Sequence, residues 1–264
     1  MLPHVCIQEI TVLISFQPIE HVTGTEWLGH SRLEQNVVHL WGIDLNGSPH
    51  CLERCAQWLD KEERHRAARL VREEDRQRYV FAHGGLRVVL SRYLGIGPDV
   101  LEMYRNESGK PSLTKELRGQ PAITFNMSHA QGRVLIAISK GQEVGVDLER
   151  IRSDVAVAKL SERYFVPTEH AAIMQSTQDQ RAAKFFRYWV AKEAVLKAQG
   201  IGLSALSQCE INFGADGVSA EVLIPVDSPL QNNWQIRLLS CGEGWEGAVA
   251  AQGMDRVVLC GRSL

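Results

Sequence analysis

The chain has 264 residues, of which 44% are hydrophobic and 23% charged, with a formal net charge of −2 at pH 7. This length allows one large domain or two small ones, each with its own core. The near-neutral balance excludes a whole-molecule attraction to nucleic acid or to an anionic membrane, so an acidic partner would have to meet a local patch. No stretch reaches the ~20 apolar residues that cross a bilayer. The leading apolar run at residues 10–14 follows Glu9 and no basic region, which argues against a signal peptide and for a cytoplasmic protein. Cys6, Cys51, Cys55, Cys209, Cys241 and Cys260 form no C-x-x-C pair, and His50, Cys51, Cys55 and His65 fit no common zinc spacing, so free thiols are expected.

Residues 1–34 read as an extension, with a strand-like run at 7–16 and a polar loop around Thr23, Gly24 and Thr25. Residues 37–45 predict the first strand of the main fold, ended by turn chemistry at 45–49. Residues 51–94 predict charged helices that stop at Gly95, Gly97 and Pro98. Their charges are either a solvated helix face or a phosphate-holding group in which Arg64, Arg66, Arg69 and Arg78 gather at one end. A short strand at 101–104 precedes a loop that fixes Lys110 between Gly109 and Pro111, as a phosphate contact or as an ordinary turn lysine. Residues 121–129 alternate as a strand, with Ile123, Phe125 and Met127 on one face, and 134–139 return as its partner. Ser128 and His129 therefore sit where a strand meets a turn. Adjacent strand residues point to opposite faces, which suits phosphate donors better than a Ser–His nucleophile.

Residues 143–151 place Val144, Val146 and Leu148 on one strand face and Asp147 and Glu149 on the other. Two neighbouring carboxylates raise each other's pKa, and a hard divalent cation relieves the conflict. Water on a polar strand face would do so too. Two helical pieces follow at 154–176, broken at Pro167, where Arg150, Arg152, Lys159 and Arg163 lie near Val155, Val157 and Leu160. That mixture suits an acidic helical partner or an ordinary amphipathic helix. The helix at 179–199 puts Phe186, Trp189, Val190 and Leu196 on one stripe, with Glu193 in its middle, Lys197 on the same stripe and Lys192 to one side. Glu193 and Lys197 are either a surface pair or a desolvated carboxylate in need of a cation. With Asp147 and Glu149 already in hand, Glu193 becomes the third carboxylate of a metal site. Strand-like runs at 209–213, 220–224, 234–239, 247–251 and 257–259 complete the chain. Each half reads as strand, helices, strands, an α+β pseudo-duplication.

Gly109-Lys110-Pro111, Phe125-Asn126-Met127-Ser128-His129, Gly145-Val146-Asp147-Leu148-Glu149 and the run from Trp189 to Lys197 together resemble the motifs of 4′-phosphopantetheinyl transferases. The likeness spans about residues 37–251, and the length fits the long, pseudo-dimeric, surfactin-synthetase-activating type. It implies two similar subdomains in a pseudo-twofold arrangement, each a small antiparallel sheet packed with helices: 35–145 and 146–264 after the extension at 1–34, with the active site between them. The implied reaction moves the phosphopantetheine arm of coenzyme A to a serine of an apo acyl, peptidyl or polyketide carrier protein, releasing adenosine 3′,5′-bisphosphate. By the resemblance, Asp147, Glu149 and Glu193 hold Mg²⁺ or Mn²⁺. Lys110, Ser128 and His129 bind the coenzyme A phosphates, Arg64, Arg66 and Arg78 form the basic helical region, and Glu63 stands where some relatives are basic. Glu193 would accept the serine proton, directly or through a metal-bound water, with Lys197 and Lys192 on the pyrophosphate. A monomer is implied. The competing expectations are a non-catalytic coenzyme A or carrier-protein binding module and a metal-dependent phosphohydrolase.

Overall fold

The computed structural model describes residues 12–24, 32–106, 109–118, 122–225 and 233–261. Residues 7–11 of the leading run, Cys6, Thr25 and Pro121 lie outside them.

The chain opens with β1 (Val12–Leu13), β2 (Phe16–Pro18) and α1 (Ile19–Gly24), then β3 (Val37–Asp44). Three helices follow, α2 (Pro49–Trp58), α3 (Lys61–Ala68) and α4 (Glu73–Leu94). The sequence reading divided this region into two helices. The extra break comes at Leu59, which is extended, and Asp60 and Glu63 then form a reciprocal capping box that restarts the helix. A ribbon of β4 (Met103–Arg105) and β5 (Pro111–Leu113), with α5 (Lys115–Arg118), leads to β6 (Ile123–Ala130), β7 (Arg133–Lys140) and β8 (Val144–Arg150). Then come α6 (Val157–Tyr164), α7 (Pro167–Met174) and α8 (Arg181–Gln199). The last strands are β9 (Glu210–Phe213), β10 (Ser219–Leu223), β11 (Trp234–Ser240), β12 (Trp245–Gln252) and β13 (Arg256–Leu259).

Two sheets result. The first has the order β13-β3-β7-β6, with β2 also along β3; the second has the order β8-β12-β11-β10-β9, with β1 along β11. Alternation divides the first sheet between two cores. Trp41, Ile43, Val134, Ile136 and Ile138 meet Phe81, Leu86, Val89 and Leu90 of α4. Val38, Leu40, Leu135 and Ala137 face the second sheet and pack on Val144, Val146, Leu148, Leu239, Val249 and Ala251. The far face of the second sheet carries α8, with Val190, Ala194 and Val195 against Ile236, Ala248 and Ala250. The architecture is α+β, two helix-backed sheets face to face.

The chain ends depart from the expected division at 145/146. That cut falls inside β8. β13, read as part of the second half, pairs in parallel with β3 of the first sheet. β1 pairs in parallel with β11 of the second sheet, and β2 in parallel with β3. The sheets are therefore antiparallel only in their interiors. Residues 12–18 cross the seam, and between the two pairings Ile14, 5% exposed, enters the inter-sheet core.

Burial at this crossing predicts that Ile14→Ala costs about 2–4 kcal/mol in urea unfolding, as for other large-to-small core changes. Leu13, 54% exposed, is the control: Leu13→Ala should change stability by less than about 0.5 kcal/mol.

Candidate active site

Helix α8 lies unusually close on β8. A Cβ at Gly145 would stand 2.0 Å from the Ala194 carbonyl oxygen and 2.4 Å from the Ala198 nitrogen. Only glycine permits that approach, and it brings the Glu193–Lys197 turn over Asp147 and Glu149. The strand itself is pinned from β6, where the Asn126 side-chain oxygen accepts from the Val146 N–H at 3.0 Å.

Asp147 is 2% exposed. Its Oδ1 accepts from Ser128 Oγ at 2.8 Å and from the Lys197 ammonium. Lys197 Nζ also donates to Ser128 Oγ at 3.1 Å and lies 3.4 Å from Glu193 Oε2. Asp147 Oδ2 is buried with no partner. Burial and then Asp147 push the Glu149 pKa up to about 6, against the pull of Arg152 and Lys197. Burial and then Asp147 raise Glu193 to about 7, with Lys197 opposing and Glu149 adding to the rise. Burial disfavours the Lys197 charge, but Asp147 and Glu193 outweigh it and hold the ammonium above its ordinary value. Lys197 is thus bonded to two carboxylates, and only its field, with that of Arg152, reaches the third.

Among the described residues no three His, Cys, Asp or Glu side chains close around a single point as a metal cage. The donor set nevertheless fits a hard cation. It offers carboxylate oxygens only, one buried oxygen lacks a partner, and two acids are driven toward neutrality by burial and then by the Asp147 charge.

The structure gathers Asp147, Glu149, Glu193, Lys197 and Ser128 and separates the rest. Ser128 is not a free phosphate donor. Its proton goes to Asp147, while the Leu148 N–H and Lys197 both donate to its oxygen. His129 lies exposed on the other strand face. Lys110 donates to Glu143 Oε2 at 2.9 Å and to the Ala198 carbonyl at 2.9 Å, so in the ligand-free protein it ties the β5 loop to the end of α8.

Lys192 is the clearest correction. It is fully buried and pairs with Glu169 at 2.7 Å, while donating to the Leu206 and Cys209 carbonyls. One residue from Glu193 is a 100° turn of helix, enough to send it to the far side. It braces α8 against α7 and does not touch pyrophosphate.

The basic helices do not gather their arginines. Arg64 donates to the Leu59 carbonyl, Arg66 pairs with Glu62 and Arg78 with Glu74. The last two pairs are solvent-exposed and readily exchanged. Glu63 instead anchors a buried network, with His83 Nδ1 at 2.9 Å and Arg87 Nε at 2.7 Å, and Arg87 continues to Asp60 at 2.8 Å. Sequence reasoning missed Arg87, although a lone arginine among Leu86, Val88, Val89 and Leu90 was the available signal. It also missed Glu246, which stands opposite Glu149 in the β8–β12 register and is raised to about 7 by burial. Val155, Val157 and Leu160 pack half-buried on the α8 core, while Arg152, Lys159 and Arg163 stay exposed.

Comparison with known proteins places the chain in a family. Residues 143–250 match the model of the 4′-phosphopantetheinyl transferase superfamily, and residues 45–141 that of the 4′-phosphopantetheinyl transferase N-terminal region. The 4′-phosphopantetheinyl transferase HetI of Nostoc is 36% identical over 174 residues, 66% of this chain and 73% of the relative. The 4′-phosphopantetheinyl transferase Sfp of Bacillus subtilis is 26% identical over 204 residues, 77% of this chain and 86% of the relative. The chain belongs to the 4′-phosphopantetheinyl transferase family.

Two outcomes follow. Lys192→Met leaves Glu169 buried and unpaired and should cost about 3–5 kcal/mol in urea unfolding, with Glu169→Gln in the same chain restoring part of the loss. The raised carboxyls give a pH effect of definite sign. The folded state retains protons on Glu149 and Glu193 that the unfolded chain has released above its ordinary value near 4.5. Stability of the metal-free protein should therefore fall as pH rises from 5 to 8, and Glu193→Gln should reduce that fall by about 1–2 kcal/mol. Equal pH slopes in the two proteins would contradict the assignment.

Proposed function

We propose that this protein transfers the 4′-phosphopantetheine arm of coenzyme A to a serine of an apo carrier protein, with Mg²⁺ bound and adenosine 3′,5′-bisphosphate released. One observation carries the site assignment: in a chain of this family, Lys197 joins Asp147 of β8 to Glu193 of α8 while the second Asp147 oxygen is buried without a partner. Asp147, Glu149 and Glu193 would hold the metal, with Mn²⁺ as an alternative. When bound, such an ion neutralises pyrophosphate charge and orients it for in-line displacement.

The protein's own residues supply the rest. Glu193 would accept the serine proton, directly or through a metal-bound water. As that proton leaves, the serine oxygen bonds to the β-phosphorus and the bond to the adenosine 3′,5′-bisphosphate oxygen breaks. Lys197 neutralises the phosphate charge that develops. Asn126 and Ser128 act at one remove, fixing β8 and the Asp147 carboxylate. The exposed cations Arg152, Lys159 and Arg163 form a face suited to an acidic carrier helix. Both halves reside in one chain, which suits a monomer. The free described cysteines and a coenzyme A substrate suit the cytoplasm. Among the described residues no helix is long and apolar enough to cross a membrane.

Incubation with coenzyme A, Mg²⁺ and apo carrier proteins, read by intact mass, tests the proposal. Wild-type protein should add the phosphopantetheine arm, and Glu193→Gln should slow the addition at least about 100-fold. An unchanged rate in the variant would refute the role of Glu193. Nucleotide release from coenzyme A without any carrier would replace transfer by hydrolysis.

A further inference from the structure

Lys197 occupies an odd place for a group whose only task is to touch substrate. Its ammonium has three protons, and in the free protein each has an anionic or polar acceptor nearby: Asp147 Oδ1, Glu193 Oε2 at 3.4 Å and Ser128 Oγ at 3.1 Å. These include two of the three carboxylates that the proposed function gives to the metal. A lysine ammonium and a divalent cation so placed are rivals for the same oxygens. The second Asp147 oxygen, buried without a partner, shows that one ammonium does not satisfy the acids. Among the described residues no other cation is bonded within the group. Arg152, the other basic side chain whose field reaches Glu149, stands over the Phe186 ring at 5.9 Å.

We propose that Lys197 is a resident counter-cation of this site: it competes with the divalent metal in the free protein and yields the carboxylates when a pyrophosphate gives its ammonium another anion. The inference rests on the metal reading of the site given above. Its physical basis is charge balance. Without substrate, a metal must enter beside a positive charge already seated on Asp147 and Glu193. With coenzyme A present, the phosphates bring negative charge of their own, and the flexible four-carbon stem of lysine can swing to them without moving α8. Metal and substrate binding become mutually dependent through the position of one side chain.

Mn²⁺ serves as the probe, its free fraction read by electron paramagnetic resonance on the full chain, with thermal unfolding run beside each protein. Without coenzyme A, Lys197→Met should bind Mn²⁺ at least tenfold more tightly than wild type. Lys197→Arg, whose guanidinium holds carboxylates in a planar fork, should bind it several-fold more weakly. Coenzyme A should tighten Mn²⁺ binding to wild type by a larger factor than to Lys197→Met. Should Lys197→Met fail to fold, Lys197→Arg decides alone: weaker binding than wild type sustains the proposal, and equal or tighter binding overturns it. If wild type with coenzyme A binds Mn²⁺ but Lys197→Met without it is no tighter than wild type, the lysine proposal is overturned and the metal reading stands. If wild type with coenzyme A leaves the Mn²⁺ signal unchanged, the metal reading fails and the lysine proposal with it.

Discussion

The backbone contact between α8 and β8 at Gly145 sets everything that the site can do. Side chains normally keep a helix about 10 Å from a sheet, as in stacked layers generally. Here the helix is drawn in until its own carbonyl and amide would strike a single added carbon. Carboxylates on separate elements are thereby forced into one low-dielectric volume. The chain offsets that repulsion by neutral packing elsewhere, with small residues Ala194, Ala248 and Ala250 under the same helix and two apolar cores on either side. The Lys192–Glu169 pair and the Lys110 strap fasten α8 at its flank and its end. Gly200 then stops it in the left-handed conformation just beyond the site.

Much of this was legible in the residues. Period-2 alternation placed Val144, Val146 and Leu148 against the other sheet and Asp147 and Glu149 toward α8, as found. The helical stripe put Glu193 and Lys197 on one face, and the ion pair between them is present. What failed was the destination of basic groups. A lysine in a Gly-Lys-Pro turn and a lysine beside a glutamate both look available for phosphate. Periodicity gives the direction in which a side chain leaves its own element, but the partner that meets it comes from an element distant in sequence. Lys110 meets Ala198, and Lys192 meets Glu169. Glu63, given no partner by periodicity, meets Arg87 and His83 of α4.

The pairing of the termini was also hidden. Short strands such as β1 and β13 carry little alternation, and nothing in a two- or four-residue run distinguishes one sheet from the other. Their registers are fixed by edges that exist only once both sheets have formed.

That arrangement bears on how the protein is made. On the ribosome the first sheet emerges with β2, β3, β7 and β6, yet the edge of β3 at Val37–Leu40 stays open until β13, over 200 residues later in the chain, leaves the exit tunnel. The N-terminal strand β1 likewise has no partner until β11 appears. The first sheet is incomplete until β13 has emerged, and the second until β12 has. Such long sequence separations slow folding and leave strand edges exposed meanwhile. A nascent chain stalled between β8 and β13 would leave the part of the β3 edge at Val37–Leu40 without its strand, the kind of edge that chaperones bind and that aggregates grow from.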